Sequence, residues 1–75
     1  MIIKNKNGRR YILICKNGEW AILETINTVS YKPKEFIVVY NLQNSDDGSY
    51  FWSKGNYCRT LSEAEQIFNK NIEIA

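Results

Sequence analysis

The side chains best equipped for chemistry are two cysteines, Cys15 and Cys58, in a chain of 75 residues that contains no histidine. A cysteine nucleophile needs an activating base, which without imidazole must be Lys, Asp or Glu. Zinc asks for about four N or S ligands, and two distant sulfurs with no C-x-x-C spacing do not supply them. The cysteines are expected to be reduced and to serve as small packing residues. Asp46-Asp47-Gly48 brings two carboxylates together, but an EF-hand loop needs acids at alternating positions and a closing glutamate. The stretch reads instead as a turn in which Asn44, Ser45 and Asp46 bond local amides and Gly48 takes positive φ. The inventory therefore predicts no enzymatic activity, no cofactor and no metal. At the loop tip, Asp46 and Asp47 remain a contact for a basic partner.

Tyr50-Phe51-Trp52 with Lys54, Tyr57 and Arg59 is the densest aromatic and basic cluster. Rings on a sheet flanked by cations form a stacking platform for single-stranded nucleic acid. The structural alternative is that Tyr50 and Trp52 on one face and Phe51 on the other are core. The net charge of +2 is small for a nucleic-acid-binding domain. Lys4, Lys6, Arg9 and Arg10 flank the first turn, where cations discourage edge-to-edge pairing.

The elements that must position these residues are mostly strands. Asn7-Gly8 and Asn17-Gly18 are hairpin signals, because a type I′ turn needs positive φ at both central residues. Arg10–Cys15 and Trp20–Ile26 flank the second pair. A two-residue loop there sets Lys16 opposite Glu19, Cys15 opposite Trp20, Leu13 opposite Ile22 and Tyr11 opposite Glu24. Ile14 then faces Ala21, and Ile12 faces Leu23. Asn27–Lys34, with Pro33, reads as a connection. Glu35–Leu42 is a β-branched and aromatic strand. Ser49–Ser53 is a fourth, with a bulge or corner at Gly55-Asn56. Ile2 and Ile3 suggest a short edge strand.

Thr60-Leu61-Ser62-Glu63 matches a capping box, and Ser62 to Glu65 matches as well. Leu61, Ala64, Ile67 and Phe68 make one apolar stripe. The helix is expected to end near Asn69 or Asn71 with Lys70 in its last turn. Ile72–Ile74 would then fray or add an edge strand. The expected fold is a single α+β domain over residues 1–75, an antiparallel β-meander of four to five strands with one C-terminal helix packed on one face.

A domain this small buries only about 60% of its unfolded surface. Several strands are apolar on both faces, whereas a half-buried hairpin alternates cleanly. One helix covers one face. The other is expected to close against a second copy or a target protein, through Ile12, Ile14 and Leu23 or through Leu13, Trp20 and Ile22. Met1–Lys4 is too short for the core of a signal peptide, and no apolar run reaches membrane-spanning length, so a cytoplasmic location and no membrane partner are expected.

The stretch Trp52-Ser53-Lys54-Gly55-Asn56-Tyr57-Cys58-Arg59-Thr60-Leu61-Ser62-Glu63-Ala64, continuing to Phe68, resembles the tail of small orphan accessory proteins of Gram-positive phages and mobile elements. In these a Trp-Gly-Tyr strand runs into a Thr-Leu-x-Glu-Ala helix start. The resemblance implies a non-enzymatic protein that binds and blocks a host or defence protein. The expected function is thus a small protein-binding module, with a surface drawn from Ile12, Ile14, Trp20, Leu23, Asp46, Asp47, Trp52, Lys54, Tyr57 and Arg59. The alternative is a single-stranded nucleic-acid binder using Tyr50, Trp52 and Tyr57 with Lys54 and Arg59.

Overall fold

The computed structural model describes residues 1–26 and 35–74; the 27–34 connection, with Pro33, lies outside the described residues. The described chain forms β1 (Ile2–Lys4), β2 (Arg10–Asn17), β3 (Trp20–Thr25), β4 (Phe36–Tyr40), β5 (Gln43–Asn44), β6 (Tyr50–Phe51), β7 (Lys54–Cys58) and α1 (Leu61–Ile74). The main sheet has the order β1-β2-β3-β4-β7, with every neighbouring pair antiparallel. It is an α+β fold, a five-stranded meander with the C-terminal helix packed on one face.

Glycine sets the turns, though not as type I′. In the first hairpin the Gly8 N–H bonds the Asn5 carbonyl at 3.0 Å, the Asn5 N–H bonds the Arg9 carbonyl at 2.9 Å, and Gly8 has φ +85°. That is a three-residue loop, Lys6-Asn7-Gly8, with the left-handed residue last. In the second hairpin Asn17 pairs with Trp20, so Gly18 and Glu19 form the loop. Gly18 has φ +61° while Glu19 has no positive φ, which fits type II′.

Moving the loop by one residue changes the register. Lys16 pairs with Ala21 and Cys15 with Ile22; a bulge at Ile14 follows, then Leu13 pairs with Leu23 and Ile12 with Glu24. The expected Lys16–Glu19 pairing is not made. A bulge opposes two residues to one, so Leu13 and Cys15 point to opposite faces despite being two apart. Leu13 joins the core with Ala21, Leu23, Ile37 and Val39, whereas Cys15 joins Ile22, Val38 and Cys58.

The predicted fourth strand is two strands. After β4, Asn41 takes φ +61°, and its Nδ2 donates to Ser53 Oγ at 3.1 Å. The chain between them leaves the sheet as a small β5–β6 hairpin, then returns so that Lys54 pairs with Tyr40 and Cys58 with Phe36. Gly55 and Asn56 are regular strand residues, and the corner lies at Trp52-Ser53. Gly55 lets a ring come close: a Cβ there would lie 3.2 Å from Ile37 Cγ2 and 3.3 Å from Trp52 Nε1.

This hairpin answers the problem of the second apolar face. Leu42, Tyr50 and Trp52 pack on Ile3, Tyr11, Leu23, Ile37 and Val39. On the opposite face Leu61, Ala64, Ile67 and Phe68 of the helix pack on Ile22, Val38 and Cys58. The expectation of an open sheet face is corrected by the β5–β6 hairpin, which lies over that face. The helix starts as the Thr60 reading requires. Thr60 Oγ1 accepts from the Glu63 N–H at 3.1 Å, and Glu63 Oε2 accepts from the Arg59 N–H at 3.3 Å. It runs on to Ile74, past Asn69 and Asn71, so Lys70 is not in the last turn.

Candidate interaction surface

The β4–β7 excursion ends in a loop of the same build as the first hairpin. The Gly48 N–H bonds the Ser45 carbonyl at 3.0 Å, the Ser45 N–H bonds the Ser49 carbonyl at 2.7 Å, and Gly48 has φ +88°. One loop is therefore Lys6-Asn7-Gly8 and the other Asp46-Asp47-Gly48. A parallel bridge between Asn5 and Tyr50 brings the two hairpins together. Asp47 Oδ1 accepts from the Ser49 N–H at 2.9 Å and from its hydroxyl at 2.6 Å. Those bonds, helped by the nearby Lys6 charge, hold the Asp47 carboxyl below its ordinary value.

Between the hairpins lies an open cavity of ≈ 210 Å³ lined by Asn5, Lys6, Asn7, Tyr50, Phe51 and Trp52. Asn5 is fixed: its Oδ1 accepts from the Asn7 and Arg9 N–H groups at 3.0 and 2.9 Å, and its Nδ2 donates to the Tyr11 hydroxyl at 3.4 Å. Burial raises the Tyr11 pKa, aided by Tyr57 and opposed by the nearby Arg9. Trp52 meets Tyr11 edge to face. Tyr50 and Trp52 are half-buried against the core, and Phe51 is the exposed ring at the cavity.

The predicted surface residues separate. Leu23 is fully buried and contributes no surface, because it shares with Ala21 the β3 face that lies beneath the excursion. Trp20 is half-buried, tilted at 51° against Tyr40 with centroids 4.9 Å apart and packed against the helix-side core. The neighbouring Glu19 carboxylate raises the Tyr40 phenol's pKa. Ile12 pairs with Ile2 and is half-buried, while Ile14 is exposed at the bulge. Asp46 and Asp47 are exposed at their loop tip. Lys54 pairs with Tyr40 and so lies on the helix side, whereas Tyr57 pairs with Ile37 on the opposite side. Arg59 lies beyond β7, exposed. The cation that lines the cavity with Tyr50, Phe51 and Trp52 is thus Lys6, while Lys54 lies on the helix side. Sequence reading missed this because the meeting of two hairpin loops distant along the chain leaves no local signal.

Both cysteines are free, and burial pushes both thiols up, with Glu65 adding at Cys15 and Glu63 at Cys58. Among the described residues no group of three or more His, Cys, Asp or Glu side chains is placed to hold a metal. No helix among them is long and apolar enough to cross a membrane. Comparison with known proteins finds no matching family model, no matching curated protein and no matching solved structure.

Proposed function

We propose that this chain is a small non-catalytic module that binds another protein. One observation carries the reading. With the helix on one face and the excursion on the other, large apolar side chains still stand exposed: Ile2 at 61%, Ile14 at 39%, Phe51 at 40% and Tyr57 at 65%. Exposed aromatic groups beside arginine are the composition of protein interfaces. Thiols with raised pKa are poor nucleophiles, which argues against cysteine chemistry. The resemblance of the C-terminal stretch to phage and mobile-element accessory proteins points to a host or defence protein as the target, and a cytoplasmic site of action fits that role.

A second reading has its own support. Lys6 stands beside Phe51, Tyr50 and Trp52, with Arg9 near Tyr11, a setting in which a single-stranded nucleic acid stacks. The two readings separate on salt and nuclease. Phosphate contacts release counterions, so nucleic-acid binding falls steeply as salt rises. Affinity capture from a nuclease-treated lysate is expected to retain a specific protein at moderate salt. Loss of all capture on nuclease treatment would overturn the protein-binding reading.

A further inference from the structure

We propose that β7 is a docking edge for a second copy of this chain, the two β7 strands pairing antiparallel about a two-fold axis at Asn56. The inference is independent of the protein-binding reading, because Ile2, Ile14 and Phe51 stay exposed for a target. β7 closes one side of the main sheet and, among the described residues, pairs with β4 alone. Lys54, Gly55, Asn56 and Tyr57 are all exposed. The direction of the backbone groups on β7 follows from β4. The Thr25 N–H bonds the Glu35 carbonyl and the Asn41 N–H bonds the Glu19 carbonyl, so Ile37 and Val39, in step with Glu35 and Asn41, bond β3. Phe36, Val38 and Tyr40 then bond β7, where they face Cys58, Asn56 and Lys54. Gly55 and Tyr57 therefore turn their N–H and C=O groups outward, away from the sheet.

The residues of this edge are complementary to themselves. With Asn56 opposite Asn56, Gly55 stands opposite the second copy's Tyr57, and the two exchange both of their outward backbone bonds. The exposed Tyr57 ring then faces a glycine and meets no opposing side chain. Trp52 lies beside that glycine, its Nε1 3.3 Å from where a Cβ would stand, and offers the ring an aromatic neighbour. Lys54 stands opposite the second copy's Cys58. Next to that cysteine Glu63 Oε2 accepts from the Arg59 N–H at 3.3 Å, which holds a carboxylate at the edge where Lys54 arrives. The same bond takes up the Arg59 N–H and so ends the open edge at Cys58. The other edge, β1, is 3 residues long and carries Lys4, a cation that opposes pairing. A strand of an unrelated protein would meet the same backbone groups on β7, but would bring neither a glycine to Tyr57 nor a lysine to Glu63.

An edge contact is small for an interface, so sedimentation is run from about 10 µM to about 1 mM, where monomer should pass to dimer. Amide exchange over the same range reads the alternation. The Gly55 and Tyr57 amides should exchange freely in the monomer and slow in the dimer, while those of Asn56 and Cys58 stay protected throughout. Lys54→Glu sets a carboxylate against Glu63 and should weaken the dimer at least about tenfold. Tyr57→Pro removes an outward N–H without touching the β4–β7 ladder and should leave a folded monomer; should it unfold, Lys54→Glu still decides. In a Cys15→Ser background, Asn56→Cys should form an intermolecular disulfide faster than Asp46→Cys on the β5–β6 loop. Residues directly opposed in a non-hydrogen-bonded pair lie about 4.5 Å apart at Cα, within disulfide reach. A monomer at the highest concentration, Gly55 and Tyr57 amides already protected in the monomer, a dimer that Lys54→Glu leaves as tight as wild type, or Asn56→Cys chains that link no faster than Asp46→Cys chains would each overturn the proposal.

Discussion

Tyr11 and Trp52 meet edge to face, with ring centroids 5.4 Å apart and planes at 85°. Tyr11 belongs to the second strand of the sheet and Trp52 to the returning arm of the β4–β7 excursion. Their contact fastens that arm over the face the helix does not reach. Trp52→Ala should destabilise the fold by about 3 kcal/mol, the low end for removing a large aromatic side chain because this one is half-exposed. In a double-mutant cycle with Tyr11→Leu, the coupling should be about 0.5–1.5 kcal/mol. Urea unfolding measures both. A Trp52→Ala midpoint equal to wild type would mean the arm does not hold the face.

On the opposite face Phe68 is buried against Ile22, Val38 and Cys58. Phe68→Ala should cost about 3–5 kcal/mol. Small domains hold only about 5 kcal/mol or somewhat more, so the variant should be largely unfolded at 25 °C. Circular dichroism melting reads this directly, and a cooperative melt near the wild-type temperature would contradict it.

The local grammar of the helix was plain in the sequence. Thr60 and Glu63 cap it, and Leu61, Ala64, Ile67 and Phe68 form the stripe that packs. The positions of the first strands along the chain followed equally from the turn residues and the β-branched runs, but their order in the sheet did not. The path of residues 41–53 was not legible, because Ser49–Trp52 carries strand propensity whether it pairs with β4 or folds over it. What diverts it is a long-range choice, made where Asn41 adopts a left-handed backbone and Leu42, Tyr50 and Trp52 find an uncovered apolar face. The candidate site was half legible. The rings were singled out, but the cation beside them, Lys6, comes from a turn more than forty residues earlier, and pattern reading paired the rings with Lys54 and Arg59 instead.

Asp47 gives a pH dependence with a defined sign. Its carboxyl is held below the ordinary 3.8, first by the Ser49 hydroxyl, then by the Ser49 amide, with Lys6 adding. A depressed carboxyl contributes stability above its unfolded pKa and loses it as pH falls through the folded value. The contribution is in place at neutral pH and disappears on acidification. Ser49→Ala removes the largest cause, so the Asp47 titration followed by carbon NMR should move up toward 3.8. No movement would mean the hydroxyl bond is not formed in solution.

The bulge at Ile14 makes the sharpest test of the register. Leu13 pairs with Leu23 and Cys15 with Ile22, one residue apart on β3 though two apart on β2. Deleting Ile14 makes Leu13 and Cys15 consecutive, and consecutive strand residues already face opposite sides. Both cores keep their members, and an exposed isoleucine is lost. The deletion should fold with the same pairing and lie within about 1 kcal/mol of wild type, as changes outside the core do. Deleting Ile12 shortens the same strand by the same amount but carries Tyr11 into its place, out of the core and away from Trp52. That variant should lose about 3 kcal/mol or more. Thermal melts of the two deletions side by side decide the matter: equal destabilisation would show that the bulge does not set which face each side chain meets.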